Sequence, residues 1–179
     1  LARKMGARVI GVNAEDASRT DDEFLVRFAR AARDAGADRF RYCDTLGYDD
    51  PFTIYRRVRM LAEETHIPIE LHCHNDLGLA VANSLAGLKA GARQAECTLC
   101  GIGERAGNAA MEELIMGIRT RSDEYPYTYN VKTEEIIRSS RLLTQITGVK
   151  PNPSKAIVGA NAFAHESGIH QHGMMANSL

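Results

Sequence analysis

Short segments of strand length alternate with longer segments of helical periodicity along residues 1–121. Apolar positions three and four residues apart predict amphipathic helices, at residues 22–34, 51–65 and 79–88 and in a fourth segment around MEELIMGIRTR. A short segment of strand type precedes each helix, at residues 9–12, 39–43 and 67–71 and within AGARQAECTL. These residues therefore predict four successive strand–loop–helix units.

Repeated alternation of strands and helices is typical of a parallel sheet joined by right-handed crossovers. Small residues mark the turn from a helix into the next strand, at Gly6-Ala7, Gly36-Ala37 and Gly91-Ala92. Because helices cover both faces of such a sheet, we expect each strand to be buried on both sides. The fold class is therefore α/β, either a doubly wound sheet or a (β/α)8 barrel, of which four units would form half.

The alternation ends at Arg121, and a different organisation follows. The segment TEEIIRSSRLLTQITG predicts an amphipathic helix that is capped by Thr133 and ends at Gly148. A segment punctuated by Pro and Gly comes next, and it contains three histidines. We therefore predict two parts: a barrel part over residues 1–121, and a helical linker with the start of an accessory subdomain over residues 122–179. Because the chain has no initiator Met and begins within a short helical segment, we expect a piece of a longer polypeptide.

Composition narrows the class of partner. With 22 Lys and Arg against 23 Asp and Glu, the formal net charge is −1, so no single-signed face is expected to select nucleic acid or an anionic membrane. No apolar stretch is long enough to cross a bilayer, and the four cysteines accompany no signal segment, which favours a reducing cytoplasm. Cys97 and Cys100 form a single C-x-x-C pair without the second pair of a zinc finger. Small-molecule chemistry is the function class that these features leave.

Two histidines stand at the end of the third predicted strand. His72 and His74 are two residues apart, so their side chains are expected to project to the same side. Two imidazoles at that spacing are well placed to share one cation, although two solvated loop histidines would show the same spacing. A second loop, GIGERAGN, adds the amide oxygen of Asn108 and glycines that allow close backbone approach. Nitrogen and oxygen donors without thiolate favour Mg, Mn or Zn in an open site that can polarise a carbonyl.

Four longer motifs of this chain, taken in order, resemble those of a known enzyme family. In chain order, the motifs are EDASRT, HCHNDLGLAVANSLAGLKAGA, GIGERAGNAAMEELIM and NAFAHESGIHQHG. Together they resemble the 2-isopropylmalate synthases and homocitrate synthases, and they are most similar to the former. The resemblance implies the C-terminal half of a (β/α)8 barrel, strands five to eight, followed by a small helical subdomain. It also implies condensation of acetyl-CoA with a 2-oxo acid such as 2-oxoisovalerate, assisted by a divalent metal and followed by thioester hydrolysis, in a cytoplasmic homodimer of leucine biosynthesis.

The same resemblance implies roles for individual residues. His72, His74 and Asn108 are similar to the metal-binding set, and Thr45 in DTLGY is similar to the residue that binds the oxo acid's carboxylate. Glu15 resembles an acid that helps to organise the site. His170 in SGIHQHG resembles a subdomain histidine that takes part in acid–base chemistry, with a structural loop histidine as the alternative.

Other charged residues are expected to have no chemical role. The arginines of the first two helices are expected to form solvated faces, at Arg27, Arg30, Arg33 and residues 56–59. Glu104 and Arg105 are expected either to pair with each other or to brace their loop.

The chain also departs from the family pattern. Cys73 stands where a hydroxyl residue is common, Cys100 stands where Asn is usual, and His172 stands where Asp is usual. The family's Arg-Asp-Gly motif, which supplies a metal carboxylate and an arginine, is absent from the 179 residues. This stretch alone is therefore not expected to catalyse the condensation.

Two alternatives stay open, another oxo acid and an inactive module, and two further enzyme classes are disfavoured because their motifs are not found. Homocitrate or citramalate synthesis would use the same motifs with another oxo acid. A lyase for 3-hydroxy-3-methylglutaryl-CoA would carry a reactive cysteine in a GGCPYA-like loop where this chain has GIGERAGN, and a biotin-dependent carboxyltransferase would need a strand lysine. An inactive half-barrel that serves as an association or effector-binding module belongs to a different class of function.

Overall fold

A computed structural model describes residues 1–164 and 167–176, apart from the side chains of residues 168–170. Two compact units divide between Val131 and Lys132. In the first unit four strands and four helices alternate, as the sequence predicts. The strands are β1 (Gly11–Ala14), β2 (Arg39–Asp44), β3 (Ile69–Cys73) and β4 (Gln94–Glu96), and the helices are α1 (Asp22–Asp34), α2 (Pro51–Thr65), α3 (Ala80–Lys89) and α4 (Met111–Thr120).

The four strands form one parallel sheet in the order of the chain. β1 pairs with β2, β2 with β3, and β3 with β4, all in parallel. The predicted parallel sheet with sequential strand order is therefore confirmed, and His72 lies in the third strand at its carboxyl end. Because parallel strands end at the same edge, the loops that follow them lie side by side there.

Local capping fixes two of the helices at their predicted bounds. The Asp21 side chain accepts a hydrogen bond from the backbone N–H of Phe24 at the start of α1. Asp50 does the same for Phe52 and Thr53 at the start of α2, where Pro51 occupies the first turn. A side-chain acceptor at the N-cap satisfies amide groups that have no partner within the helix, and Pro is tolerated in the first turn for the same reason.

One face of the sheet packs against the helices and is apolar. Phe40, Ile69 and Leu71 are essentially inaccessible to solvent in the cluster that α1, α2 and α3 cover. At Gly87 a side chain would approach Leu71 Cδ1 to 2.2 Å, so the glycine lets α3 lie close against β3. Each Å² of apolar surface removed from water contributes about 25 cal/mol to the free energy of folding, which stabilises this layer.

The opposite face of the sheet is only partly buried, which corrects the expectation that each strand is buried on both sides. It carries charged and polar side chains at alternating positions, because successive residues of a strand point to opposite faces. The side chain of Glu70 is only 1% exposed there, and it pairs with Arg39 at 3.1 Å and with Arg41 at 2.8 Å. Ion pairs therefore connect the side chains on this face, which we call the inner face of the sheet.

A second correction concerns α2. Arg56 and Arg59 are exposed as expected, with side chains 58% and 57% accessible. Arg57 is only 13% exposed, and its guanidinium donates to the carbonyls of Ala17 and Ser18 and to the hydroxyl of Tyr42. Arg57 therefore braces the loop that follows β1 instead of forming part of a solvated face.

The second unit contains α5 (Ile136–Thr147) and α6 (Gly168–Ala176). Gly148 ends α5 in the left-handed conformation, at φ 74°, as predicted. The predicted Thr133 cap is wrong: Thr133 begins a 3-10 turn over Thr133–Glu135, and Glu135 stands at the N-cap of α5. Within the described part of the chain no helix is long and apolar enough to span a membrane.

Candidate functional site

The candidate site lies where β1 to β4 end. The register places Cys43 opposite His72 and His72 opposite Glu96, so three neighbouring strands end at one level. The loops after them carry the polar residues that the sequence singles out. Strand register fixes the position of each side chain along the sheet, and the loops supply the other polar groups of the site.

The two histidines point at each other. Their ring centroids are 4.8 Å apart with the planes at 86°, and the two Nε2 atoms are 3.1 Å apart. The structure thus agrees with the prediction that their side chains share one side. Two ring nitrogens that converge in this way either share a proton or share a cation.

The surroundings of the two imidazoles differ. The Nδ1 atom of His72 lies 2.6 Å from Oε2 of Glu96, an ion-pair distance without the geometry of a hydrogen bond. The residue His74 is 6% exposed, and no hydrogen-bond partner of its Nδ1 is found in the described part of the chain. Burial, and then the nearby charges of His72 and Arg105, lower the pKa of His74. The neutral form of His74, which has a free lone pair, is therefore favoured.

Asn108 adds an oxygen beside the histidines. Its Nδ2 donates to the carbonyl of Ile102 at 3.2 Å, which directs the amide so that Oδ1 is the buried atom. No hydrogen-bond partner of that Oδ1 is found among the described residues. Asn108 and His72 line an open cavity of about 410 Å³, together with Ala95, Glu96, Cys97 and Thr98. A buried acceptor without a donor in the protein can accept from a water molecule or bind a cation.

The GIGERAGN loop is folded tightly to bring Asn108 there. The backbone of Asn108 bridges to that of His74, and Asn75 N–H donates to the carbonyl of Gly107 at 2.9 Å. Gly107 has φ +91°, and a Cβ there would meet the carbonyl oxygen of Gly101 at 1.9 Å. The loop therefore needs glycine at this position for both reasons.

Arg105 joins three of the loops. Its guanidinium pairs with both carboxylate oxygens of Asp76, at 2.8 Å and 3.0 Å, and donates to the carbonyl of Thr45 at 2.6 Å. Of the two expectations for Arg105, bracing is therefore observed, with Asp76 and not Glu104 as its partner. The bidentate pair fixes orientation as well as distance.

Thr45 and Glu15 meet at the edge of this group. The Thr45 hydroxyl accepts from the backbone N–H of Asp16 at 2.8 Å and lies 3.4 Å from Oε2 of Glu15. Glu15 is exposed, and its other oxygen lies 3.8 Å from Sγ of Cys43. Burial, and then the charge of Glu15, raise the pKa of the Cys43 thiol to about 12, so the thiol stays neutral.

The structure brings five of the six candidate residues to one region of the first unit, in the groups just described: Glu15, Thr45, His72, His74 and Asn108. His170 lies on α6 in the second unit, and its side chain falls outside what the structure describes. Among the described residues no group of three or more His, Cys, Asp and Glu side chains could hold a metal ion. The donors present at this point are two imidazoles and one amide oxygen.

Sequence reasoning missed two residues of the site, Arg41 and Glu96, and the partner of Arg105. Arg41 and Glu96 stand at alternating strand positions on the same face as His72. A strict alternation of polar and apolar residues in RFRYC and QAE was the available signal. The pairing of Arg105 with Asp76 had no local signal, because 29 residues separate them.

Comparisons with known proteins agree with this picture. The chain is 55% identical over 170 residues to the 2-isopropylmalate synthase of Ruminiclostridium cellulolyticum, which covers 92% of this chain and 33% of that protein. It is 50% identical over 179 residues to the 2-isopropylmalate synthase of Carboxydothermus hydrogenoformans, which covers 98% of this chain and 35% of that protein. The chain thus spans about a third of the length of these relatives.

A solved structure supports the fold. The hydroxymethylglutaryl-CoA lyase of Pseudomonas aeruginosa superposes with a TM-score of 0.70 at 20% identity, over 84% of this chain and 53% of that one. A family model described as HMGL-like matches residues 1–143, and one described as homocitrate synthase post-HMGL domain-like matches residues 157–179. With four parallel strand–helix units, paired histidines at the end of β3 and a family match over most of its length, the chain belongs to the HMGL-like family.

Proposed function

We propose that this chain is part of an acyltransferase that condenses acetyl-CoA with a 2-oxo acid, with 2-oxoisovalerate giving 2-isopropylmalate as the favoured reaction. The convergence of the His72 and His74 Nε2 atoms beside the unpartnered Asn108 Oδ1 carries this proposal. Sequence identity of 50–55% to 2-isopropylmalate synthases supports this choice of reaction. In this proposal residues 1–121 supply strands five to eight of a (β/α)8 barrel, and residues 122–179 supply a linker and the start of the accessory subdomain.

The donors present fit a divalent cation. Two imidazole nitrogens and an amide oxygen suit Mg, Mn or Zn, and the absence of thiolate from the set favours an open site over a closed structural one. When bound, such an ion polarises the keto carbonyl of the oxo acid as a Lewis acid. We propose that His72, His74 and Asn108 hold it.

Thr45 is suited to orient the oxo acid. Its hydroxyl accepts firmly from Asp16 N–H, whereas its own proton has only a long contact to Glu15 at 3.4 Å. That proton is available to a substrate carboxylate without breaking a strong hydrogen bond. We propose that Thr45 binds the carboxylate end, that Glu15 organises the hydroxyl, and that His170 takes part in proton transfer at the methyl group of acetyl-CoA in a cytoplasmic homodimer.

One observation supports a second reaction of the same class, homocitrate synthesis. The family model that matches residues 157–179 is described as homocitrate synthase post-HMGL domain-like. Homocitrate synthesis would use 2-oxoglutarate with the same metal-binding groups. The 2-isopropylmalate synthases match far more of the chain, which is why 2-oxoisovalerate is placed first.

Metal binding tests the first step on the chain itself. Binding of Mn²⁺ or Zn²⁺ is measured by competition with a chromophoric chelator for the wild-type chain, His72→Ala and His66→Asn. His66 ends α2 in the left-handed conformation, which Asn tolerates, so His66→Asn removes an imidazole outside the site. We expect high-affinity binding by the wild-type chain and by His66→Asn, and loss of high-affinity binding in His72→Ala. Equal binding by all three proteins would contradict the proposed ligand set.

Activity is tested in a chimera. The chain replaces the 170-residue matching segment of the Ruminiclostridium cellulolyticum enzyme, and the unmodified enzyme serves as the control. CoA release is followed with 2-oxoisovalerate, pyruvate and 2-oxoglutarate. We expect metal-dependent release with 2-oxoisovalerate that His72→Ala abolishes. A preference for 2-oxoglutarate would support the homocitrate alternative, and a folded, metal-binding but inert chimera would support the association module.

A further inference from the structure

Glu96 connects the His72 imidazole to the ion pairs of the inner face. One carboxylate oxygen, Oε2, lies 2.6 Å from Nδ1 of His72, and the other, Oε1, lies 2.6 Å from a guanidinium nitrogen of Arg41. β3 and β4 pair so that His72 and Glu96 are direct neighbours in register. Each oxygen of Glu96 therefore has a different partner, and the carboxylate is fixed from both sides.

The inner face also fixes Arg41. Its guanidinium lies 2.8 Å from Oε1 of Glu70, whose side chain is 1% exposed. Arg39 and Gln94 also bind the Glu70 carboxylate, at 3.1 Å and 3.0 Å. Two hydrogen-bond donors and a second guanidinium in ion-pair contact restrict this buried carboxylate, because movement would leave its charge less well paired. Arg41 is thus held in the position from which it orients Glu96.

A carboxylate beside Nδ1 decides which nitrogen of His72 carries the hydrogen. A carboxylate oxygen 2.6 Å away attracts an N–H and repels a lone pair, so it stabilises the tautomer with hydrogen on Nδ1. Nε2 then keeps its lone pair, and Nε2 is the atom that lies 3.1 Å from Nε2 of His74. The lone pair on Nε2 then faces the second histidine.

We propose that Glu96 is a positioning residue that fixes the Nδ1–H tautomer and the ring orientation of His72, with Arg41 and the buried Glu70 as its anchor. The inference rests on the proposed function in that His72 Nε2 is taken as a metal-binding atom. A ligand imidazole whose other nitrogen donates to a carboxylate is a stronger donor and needs no reorientation on binding. Glu96 touches neither substrate nor metal in this proposal and acts through His72.

The test combines a tautomer readout with a binding readout. The purified chain is labelled with ¹⁵N at histidine, and long-range ¹H–¹⁵N correlation spectra report which imidazole nitrogen of His72 carries hydrogen without metal present. Zn²⁺ affinity is measured by chelator competition. The variants are Glu96→Ala, Glu96→Gln and the control Glu64→Ala, which removes an exposed carboxylate paired with Arg30. Circular dichroism verifies that each variant is folded.

We expect wild-type His72 to carry hydrogen on Nδ1, Glu96→Ala to give a mixture of tautomers, and Zn²⁺ affinity to fall about 10- to 100-fold. Glu96→Gln keeps a neutral acceptor, so it should show an intermediate loss, and Glu64→Ala should match wild type. Hydrogen on Nε2 of wild-type His72, or an unchanged tautomer and affinity in Glu96→Ala, would overturn the inference. If His72→Ala binds Zn²⁺ as wild type does while Glu96→Ala still shifts the tautomer, the proposed metal site fails and the role of Glu96 in fixing the tautomer stands.

Discussion

At Gly107 the backbone of the site loop passes so close to Gly101 that a side chain has no place. A Cβ would lie 1.9 Å from the Gly101 carbonyl oxygen, and φ is +91°. Gly107→Ala must therefore displace backbone as well as strain it, so we expect a loss of about 3 kcal/mol or more in the free energy of unfolding. Because Asn75 and Asn108 are tied to this loop, Zn²⁺ binding should weaken too. Urea unfolding and chelator competition measure the two effects.

Gly36 provides the matched control for this prediction. Its φ is +90°, nearly the same, but a Cβ there would meet nothing within 4 Å. Gly36→Ala therefore suffers only the conformational strain, and it should cost about 1 to 2 kcal/mol without affecting metal binding. Equal losses of stability in the two variants would show that crowding at Gly107 is unimportant.

Cys100 is a position where the sequence and the backbone disagree. It adopts φ 59° and ψ 11°, a left-handed conformation that Asn tolerates better than most other residues. Asn is also the residue that the family resemblance predicts at this position. We therefore expect Cys100→Asn to raise the free energy of unfolding by about 0.5 to 1 kcal/mol, measured by urea denaturation. A destabilised variant would indicate that the thiol's contacts outweigh the strain.

At the scale of elements, Arg57 links α2 to the loop after β1 and to β2. Its guanidinium donates to the Ala17 and Ser18 carbonyls and to the Tyr42 hydroxyl, and Tyr42 in turn donates to Asp49. Arg57→Met should remove these bonds and leave buried acceptors unpaired, at a cost of about 2 to 4 kcal/mol in thermal or urea unfolding.

Arg56 is the control for Arg57 on the same helix. Its side chain is 58% exposed and pairs with Asp22 at the surface. Arg56→Met should change stability by less than about 1 kcal/mol, because exposed ion pairs contribute little. A comparable loss in both variants would contradict the bracing role of Arg57.

Local signals predicted the helices, whereas strand ends and the polar network needed information from distant residues. α1 and α2 have their predicted bounds because Asp caps and apolar spacing act within a few residues. β1 and β3 begin two residues later than predicted, at Gly11 and Ile69, because pairing with neighbouring strands sets where a strand begins and ends. The same limit hid the contact between Glu96 and His72, which depends on the register between β3 and β4.

At the scale of the molecule, the inner face changes how the chain is expected to associate. β1 and β4 are each paired along one side only within the described part of the chain, and an unpaired strand edge is a template for association. The face beside those edges carries pairs such as Arg39–Glu70 and Arg41–Glu96 in place of the apolar side chains common on strands that are buried on both faces. Contacts between copies of the chain would therefore be made largely by charged groups.

We accordingly expect the purified 179-residue chain to form oligomers that dissociate as salt rises. Raising the ionic strength from about 0.01 M to about 1 M shortens the Debye length from about 30 Å to about 3 Å, which screens charges at an open face. An apolar contact would respond in the opposite sense, because excluded salts such as sulfate strengthen apolar burial. Light scattering coupled to size-exclusion chromatography in NaCl and in sodium sulfate separates these cases. A monomer at low salt would contradict association, and an oligomer that sulfate strengthens would contradict charged contacts and restore an apolar interface.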